Sequence, residues 1–187
     1  MPQLRTETMT VNMGPQHPST HGVLRLVIEL DGEQILSASP TIGYLHTGIE
    51  KTAEQKKWQQ VIPLVERMDY LSAQSNSMAY CLSVERLLGL EVPQRVRDIR
   101  ILIAELQRIN SHLVWLGTTC IDIGAFTPFL WSFQERENIY NLLEGWVGAR
   151  LTTSGSRVGG MAADIPDKWL EGLQGFIRTF PKTIDEC

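Results

Sequence analysis

An apolar stripe in the middle of the chain constrains its fold most. Val96, Ile99, Ile103, Leu106, Ile109, Leu113 and Leu116 recur three or four positions apart. That spacing lines up side chains on one face of a helix. Such a face must be buried, so residues 94–117 predict a long core helix that needs other elements packed on it. The flanking segments fit that need. Residues 50–60 are rich in good helix formers, and Pro63 is expected to break them or start a new turn. Asp69 is a candidate N-cap for a helix from Tyr70 to about Leu88, closed by Gly89, and Pro93 separates that helix from the stripe. Residues 128–150 predict a further helix, 152–166 a loop of small residues, and a last helix starts near Pro166, with Pro181 interrupting its apolar face.

The chain begins differently. Thr8, Thr10 and Val11 favour extended backbone over residues 7–13, and residues 23–39 carry Leu24, Val27 and Ile28 before Asp31-Gly32, then Ile35 and Leu36. An Asp-Gly pair between apolar runs predicts a β-hairpin. The expected fold class is α+β: a small antiparallel sheet over residues 1–45, then a helical bundle over residues 46–187, as one domain or the N-terminal part of one.

The net charge of −4 argues against a nucleic-acid partner, which would favour a basic excess. No segment approaches the roughly 20 apolar residues that span a bilayer; the run Ile101–Ala104 stops at Glu105. The first ten residues hold no apolar signal region. Cys81, Cys120 and Cys187 are odd in number and far apart, so no disulfide framework is expected and a reduced, cytoplasmic setting is. The ending at Asp185-Glu186-Cys187 reads as part of something longer.

Polar chemistry concentrates in GPQHPSTHG, residues 14–22. Pro18 fixes its own φ and pushes His17 to an extended form, so the loop is stiff while presenting two imidazoles and two hydroxyls. It reads either as a proline-stiffened turn whose histidines satisfy nearby backbone, or as a site for a ligand oxygen that must be hydrogen-bonded or protonated. Zinc is disfavoured, because His17 and His21 would need a helix to share a face and Pro18 opposes one. Three other segments stand out. His46–Lys51 reads as a strand-to-helix junction with Glu50 in the first turn. Glu66–Ser72 reads as a charged helix start with Tyr70 packed on the core. Thr118–Gly124 reads as a solvated loop or a cap, in which Asp122 needs a partner if buried.

Taken together, GPQHPSTHGVLRL, IGYLHTGIEK, ERMDYLS, LQRINSHLVWLGTTCIDIGAFTPFLW, ERENIYNLLEGWVGARL and SRVGG, in this order, resemble the 49-kDa family, the D-type subunits, of respiratory complex I, the NADH:quinone oxidoreductase. Family chains are considerably longer, and the likeness is to their N-terminal part. The resemblance implies a fold similar to the large subunit of nickel-iron hydrogenases. Asp69 and Ser72 stand where that group has two metal-binding cysteines, and they cannot offer soft thiolates to nickel. The resemblance therefore implies that this chain holds no metal and that the cavity takes a quinone. It implies that His21 and Tyr70 meet the quinone head, that Asp122 pairs with that histidine, and that His17 and Arg67 lie near an iron–sulfur cluster of a neighbouring subunit. NADH and the clusters would belong to partners: the cluster-bearing quinone-site subunit, other peripheral-arm subunits and the membrane arm. The implied place is the cytoplasmic face of the bacterial inner membrane, within a proton-translocating complex, and the isolated chain is expected to be inert. Many family members carry arginine where this chain has Thr47, so no role of that arginine transfers. Two other readings remain: a non-catalytic structural or assembly fragment, and a hydrogenase-type metal subunit.

Overall fold

Residues 7–186 are described by the computed structural model. The chain divides into two compact units, one ending at Gly48 and the other beginning at Ile49. The first is built on three antiparallel strands, β1 (Met9–Met13), β2 (Arg25–Asp31) and β3 (Gln34–Thr41), in that spatial order. The register sets Val11 opposite Ile28 and Ile28 opposite Ala38, with Met13, Leu26 and Pro40 as the next row. Paired residues project to the same side, so the sheet has one apolar face. Thr10, Glu29 and Ser37 form a row on the other, where the Ser37 hydroxyl donates to Glu29 at 3.0 Å. The hairpin turns at Gly32, whose φ of 61° suits the Asp-Gly signal, and β3 runs on to Thr41.

The second unit holds α1 (Ile49–Ala53), α2 (Trp58–Val65), α3 (Ala73–Leu88), α4 (Gln94–Asp122), α5 (Phe126–Val147), the two-residue strands β4 (Ser156–Arg157) and β5 (Gly160–Met161), and α6 (Asp167–Glu186). The predicted stripe turns inward: Val96, Ile109 and Leu116 are half-buried and the other four residues buried. Ile99, Ile103, Leu106 and Leu113 pack with Ile139, Leu143 and Trp146 of α5 and with Trp169, Leu173 and Phe176 of α6. No described helix is long and apolar enough to cross a membrane. Cys81 and Cys120 are free thiols, and Cys187 lies outside the described residues.

Several expectations are corrected. The stripe helix continues through Thr118–Asp122, where the sequence suggests a loop or cap. Its Gly117 faces α5, where an added Cβ would meet Phe129 at 3.2 Å, and the left-handed residue that follows the helix is Gly124, with φ of 90°. Pro63 lies inside α2; the break falls earlier, before Trp58. Pro181 likewise lies inside α6. Pro128 occupies the first turn of α5, where a proline needs no partner for its nitrogen, and the helix ends at Val147 with Gly148 left-handed. Asp69 does act as a cap, but of a single 3-10 turn, Tyr70–Ser72, that precedes α3. Gly89 closes α3 in the left-handed form. The small-residue stretch 152–166 is not plain loop. It folds into the β4–β5 hairpin, pinned where Gly155 passes so close to the Trp146 ring that a Cβ would lie 2.2 Å from it.

Candidate functional site

The candidate residues fall into two groups. In the first unit, the loop 14–22 joins β1 to β2 and contains one 3-10 turn, Pro18–Thr20. Its stiffness has identifiable sources. His17 is extended (φ −71°, ψ 135°), as Pro18 requires, and caps the turn by accepting the Ser19 backbone N–H on Nδ1 at 3.2 Å. Accepting there puts the proton of the neutral ring on Nε2. Thr20 is buried and donates to the His17 carbonyl at 2.9 Å. Gly14 has no room for a side chain: a Cβ would lie 2.1 Å from the Leu24 carbonyl oxygen. At the end of the turn His21 takes a left-handed conformation, φ 52°, and its ring is exposed. An L-residue there costs energy, about 1 kcal/mol or more. The loop thus holds the His21 backbone in a strained left-handed conformation and leaves the residue exposed.

In the second unit, Arg67, Asp69 and Tyr70 share the corner between α2 and α3. The Asp69 carboxylate accepts the Leu71 N–H at 3.2 Å, and its backbone carbonyl accepts from Asn76 at 3.0 Å. Arg67 donates to the Pro63 carbonyl. Tyr70 is not packed in the core, against the expectation of a charged helix start; it is 46% exposed. Its turn packs against α4. Asp122 is the last residue of α4 and is exposed; it lies at the negative end of the helix dipole, a setting that favours a cationic neighbour. His17 and His21 are brought together on one loop, and Arg67, Asp69 and Tyr70 on one corner; the two groups belong to separate units. Among the described residues, no group of three or more His, Cys, Asp or Glu side chains is arranged to hold a metal ion.

Residues 122–187 match the family model of the 49-kDa subunit of respiratory-chain NADH dehydrogenase. Across 180 residues the chain is 56% identical to the second D-type subunit of NADH-quinone oxidoreductase from Koribacter versatilis, covering 96% of this chain and 45% of that one. It is 53% identical to the D-type subunit from Geobacter sulfurreducens, covering 96% and 46%, and 56% identical to that from Bacillus cereus, covering 93% and 48%. The chain belongs to the 49-kDa family of NADH-quinone oxidoreductase. It spans less than half the length of these relatives.

Within this family member, sequence reasoning missed a second layer. Glu66 and Gln74, fully or almost fully buried, flank the Tyr70 turn and bond to residues 153–156. Glu85 and Arg100 form a buried bidentate pair, at 2.8 and 2.6 Å, that also holds β4–β5. The Arg100 guanidinium keeps the Glu85 carboxyl below its ordinary range, with help from the Gly159 N–H. Beside them, burial pushes the Cys81 thiol up to about 11. No periodicity announces these residues, since each partner comes from a different segment.

Proposed function

We propose that this chain is part of the quinone-side core subunit of a proton-translocating NADH:quinone oxidoreductase, and that His21 and Tyr70 meet the quinone head. The carrying observation is the 53–56% identity, over nearly the whole chain, to proteins named as D-type subunits of NADH-quinone oxidoreductase. The local geometry supports the reading. A quinone carbonyl needs hydrogen-bond donors at fixed positions and a proton source as it is reduced. Tyr70 offers an exposed phenol on a capped turn, and His21 an exposed imidazole on a stiff loop.

On this reading Asp122 pairs with His21, holding one ring nitrogen so that the other serves the ligand. His17 and Arg67 lie near the partner's iron–sulfur cluster, which supplies the electrons; NADH is oxidised on partners farther away. The bundle shares the architecture of nickel-iron hydrogenase large subunits, with Asp69 and Ser72 in hydrogen-bonding roles at the positions of that group's cysteines. Asp69 caps a turn and Ser72 bonds Ser75 at 2.7 Å, which suits those roles. The partners are the cluster-bearing subunit, other peripheral-arm subunits and the membrane arm, at the cytoplasmic face of the inner membrane, and the isolated chain is inert.

The test is made in the assembled complex. Tyr70→Phe and His21→Ala are each expected to lower quinone reduction roughly a hundredfold, while complex assembly and NADH oxidation by a water-soluble artificial acceptor persist. Unchanged quinone turnover in both variants sinks the assignment. A second reading, a structural or assembly role without catalysis, is favoured by exposed apolar side chains such as Trp115 at 66% and Leu87 at 86%. Loss of assembly on Trp115→Ser, with turnover of the surviving complex indifferent to Tyr70→Phe, would select it.

A further inference from the structure

Two buried side chains flank the Tyr70–Ser72 turn, and both reach the same loop. Glu66 is fully buried, and its Oε2 accepts the backbone N–H and the hydroxyl of Ser154, each at 2.9 Å. Gln74, 2% exposed, donates to the Thr153 hydroxyl and accepts from the Ser156 hydroxyl at 3.1 Å. It also approaches the other oxygen of Glu66 at 3.5 Å, joining the two tethers. The loop is shaped to receive them: Ser154 is left-handed, φ 45°, which turns its N–H and Oγ toward one acceptor. The loop does not give way easily either. Glu85 accepts the Gly159 N–H at 2.7 Å, and Arg100 donates to the carbonyls of Arg157 and Gly160 at 2.8 and 3.1 Å. The tyrosine turn is thus tied on both sides to a hairpin that is itself held by a buried ion pair.

We infer that Glu66 and Gln74 are positioning residues for Tyr70, fixing its phenol by clamping the turn between them to residues 153–156. This rests on the quinone reading above. With one tether gone, the turn keeps its Asp69 cap and loses one of its two flanking anchors. The phenol then samples more positions, and a displacement of about 1 Å at a reacting group costs up to a hundredfold in rate. Neither residue touches the ligand on this account; both act through the turn.

The experiment uses the intact complex, with Glu66→Leu, Glu66→Gln, Gln74→Leu and Tyr70→Phe made in parallel. Quinone kcat and KM are measured alongside NADH oxidation by ferricyanide and the yield of assembled complex. Glu66→Leu and Gln74→Leu are expected to lower quinone kcat roughly ten- to a hundredfold, with ferricyanide reduction and yield unchanged. Glu66→Gln is expected to stay within about threefold of wild type, because its amide oxygen accepts both Ser154 donors and the Gln74 amide can turn end for end. Should Glu66→Leu fail to assemble, Ser154→Ala removes a single donor and is expected to lower kcat about threefold.

Wild-type kcat in Glu66→Leu and Gln74→Leu beside an impaired Tyr70→Phe overturns the positioning role. So does a parallel fall of quinone and ferricyanide turnover per assembled complex in the Leu variants, or wild-type kcat in Ser154→Ala where Glu66→Leu does not assemble. Wild-type turnover in Tyr70→Phe rejects the phenol's role at the quinone instead. The clamp is then judged by hydrogen exchange of the Leu71 and Ser72 amides, and unchanged exchange in Glu66→Leu overturns it.

Discussion

Glu66 and Glu85 are both buried carboxylates, and both hold residues 153–160 against the α2–α3 region, yet they do it with different chemistry. Glu85 meets a guanidinium in a two-pronged pair whose side chains are 3–4% exposed, and Arg100 passes the contact on to two backbone carbonyls. Glu66 is met by neutral donors, a backbone N–H, a hydroxyl and an amide. The charged pair grips the hairpin at Arg157–Gly160; the neutral set grips Thr153–Ser156, the part bonded to the flanks of the Tyr70 turn. Removing Arg100 strands a charge, whereas removing Glu66 strands only dipoles, so loss of the first costs more stability and loss of the second bears more on positioning.

The largest expected effect separates them directly. Arg100→Met leaves Glu85 buried without its cation and is expected to cost about 3–5 kcal/mol, read as a lower denaturant midpoint. Glu66→Leu leaves the Ser154 N–H and hydroxyl unsatisfied and is expected to cost about 1–3 kcal/mol. Equal losses in the two variants would erase the distinction and make Glu66 a second pillar of the fold.

An acid titration sharpens the same contrast. The Glu85 carboxyl is held below its ordinary value of 4.5, first by its hydrogen bond from Arg100. A depressed carboxyl contributes stability at pH above its unfolded value, and that contribution is lost as pH falls through the folded value. The melting temperature is therefore expected to drop as pH is lowered below about 4.5. Glu85→Gln should melt lower at neutral pH and lose less on acidification through that window. A wild-type drop that survives undiminished in Glu85→Gln would assign the acid response to other carboxylates.

These contrasts mark what can be read from sequence. The stripe Ile99–Leu113 is legible because burial of one helical face leaves a period, and the Asp31-Gly32 turn because a positive φ favours few residues. The end of α4 is not legible: Gly117 answers to Phe129 across the bundle, a contact no local pattern encodes. Pro63 and Pro181 sit inside helices although the local preference of proline argues against both. The candidate roles of His21 and Tyr70 are legible only as motifs of a family. Their local stiffness needs the structure, through the Gly14 close approach and the Asp69 cap. The Glu66 clamp is invisible in sequence, because its partner Ser154 lies 88 positions away.

The smallest effect tests whether the two anchors are separable. Cys81 is fully buried and its thiol is pushed up to about 11 by that burial, while Cys120 is partly exposed. Alkylation at pH 8, read by peptide mapping, is expected to label Cys120 and spare Cys81, because the thiolate is the reacting form. In Arg100→Met the Cys81 peptide should become labelled. Arg100 itself favours the thiolate, so its removal alone would make Cys81 less reactive, and extra labelling can come only from opening of the structure around it. In Glu66→Leu the ion pair and its hairpin contacts remain, and Cys81 should stay protected. Labelling of Cys81 in both variants would mean that the neutral and charged anchors open as one unit, and that the Tyr70 turn cannot be loosened without loosening the core behind it.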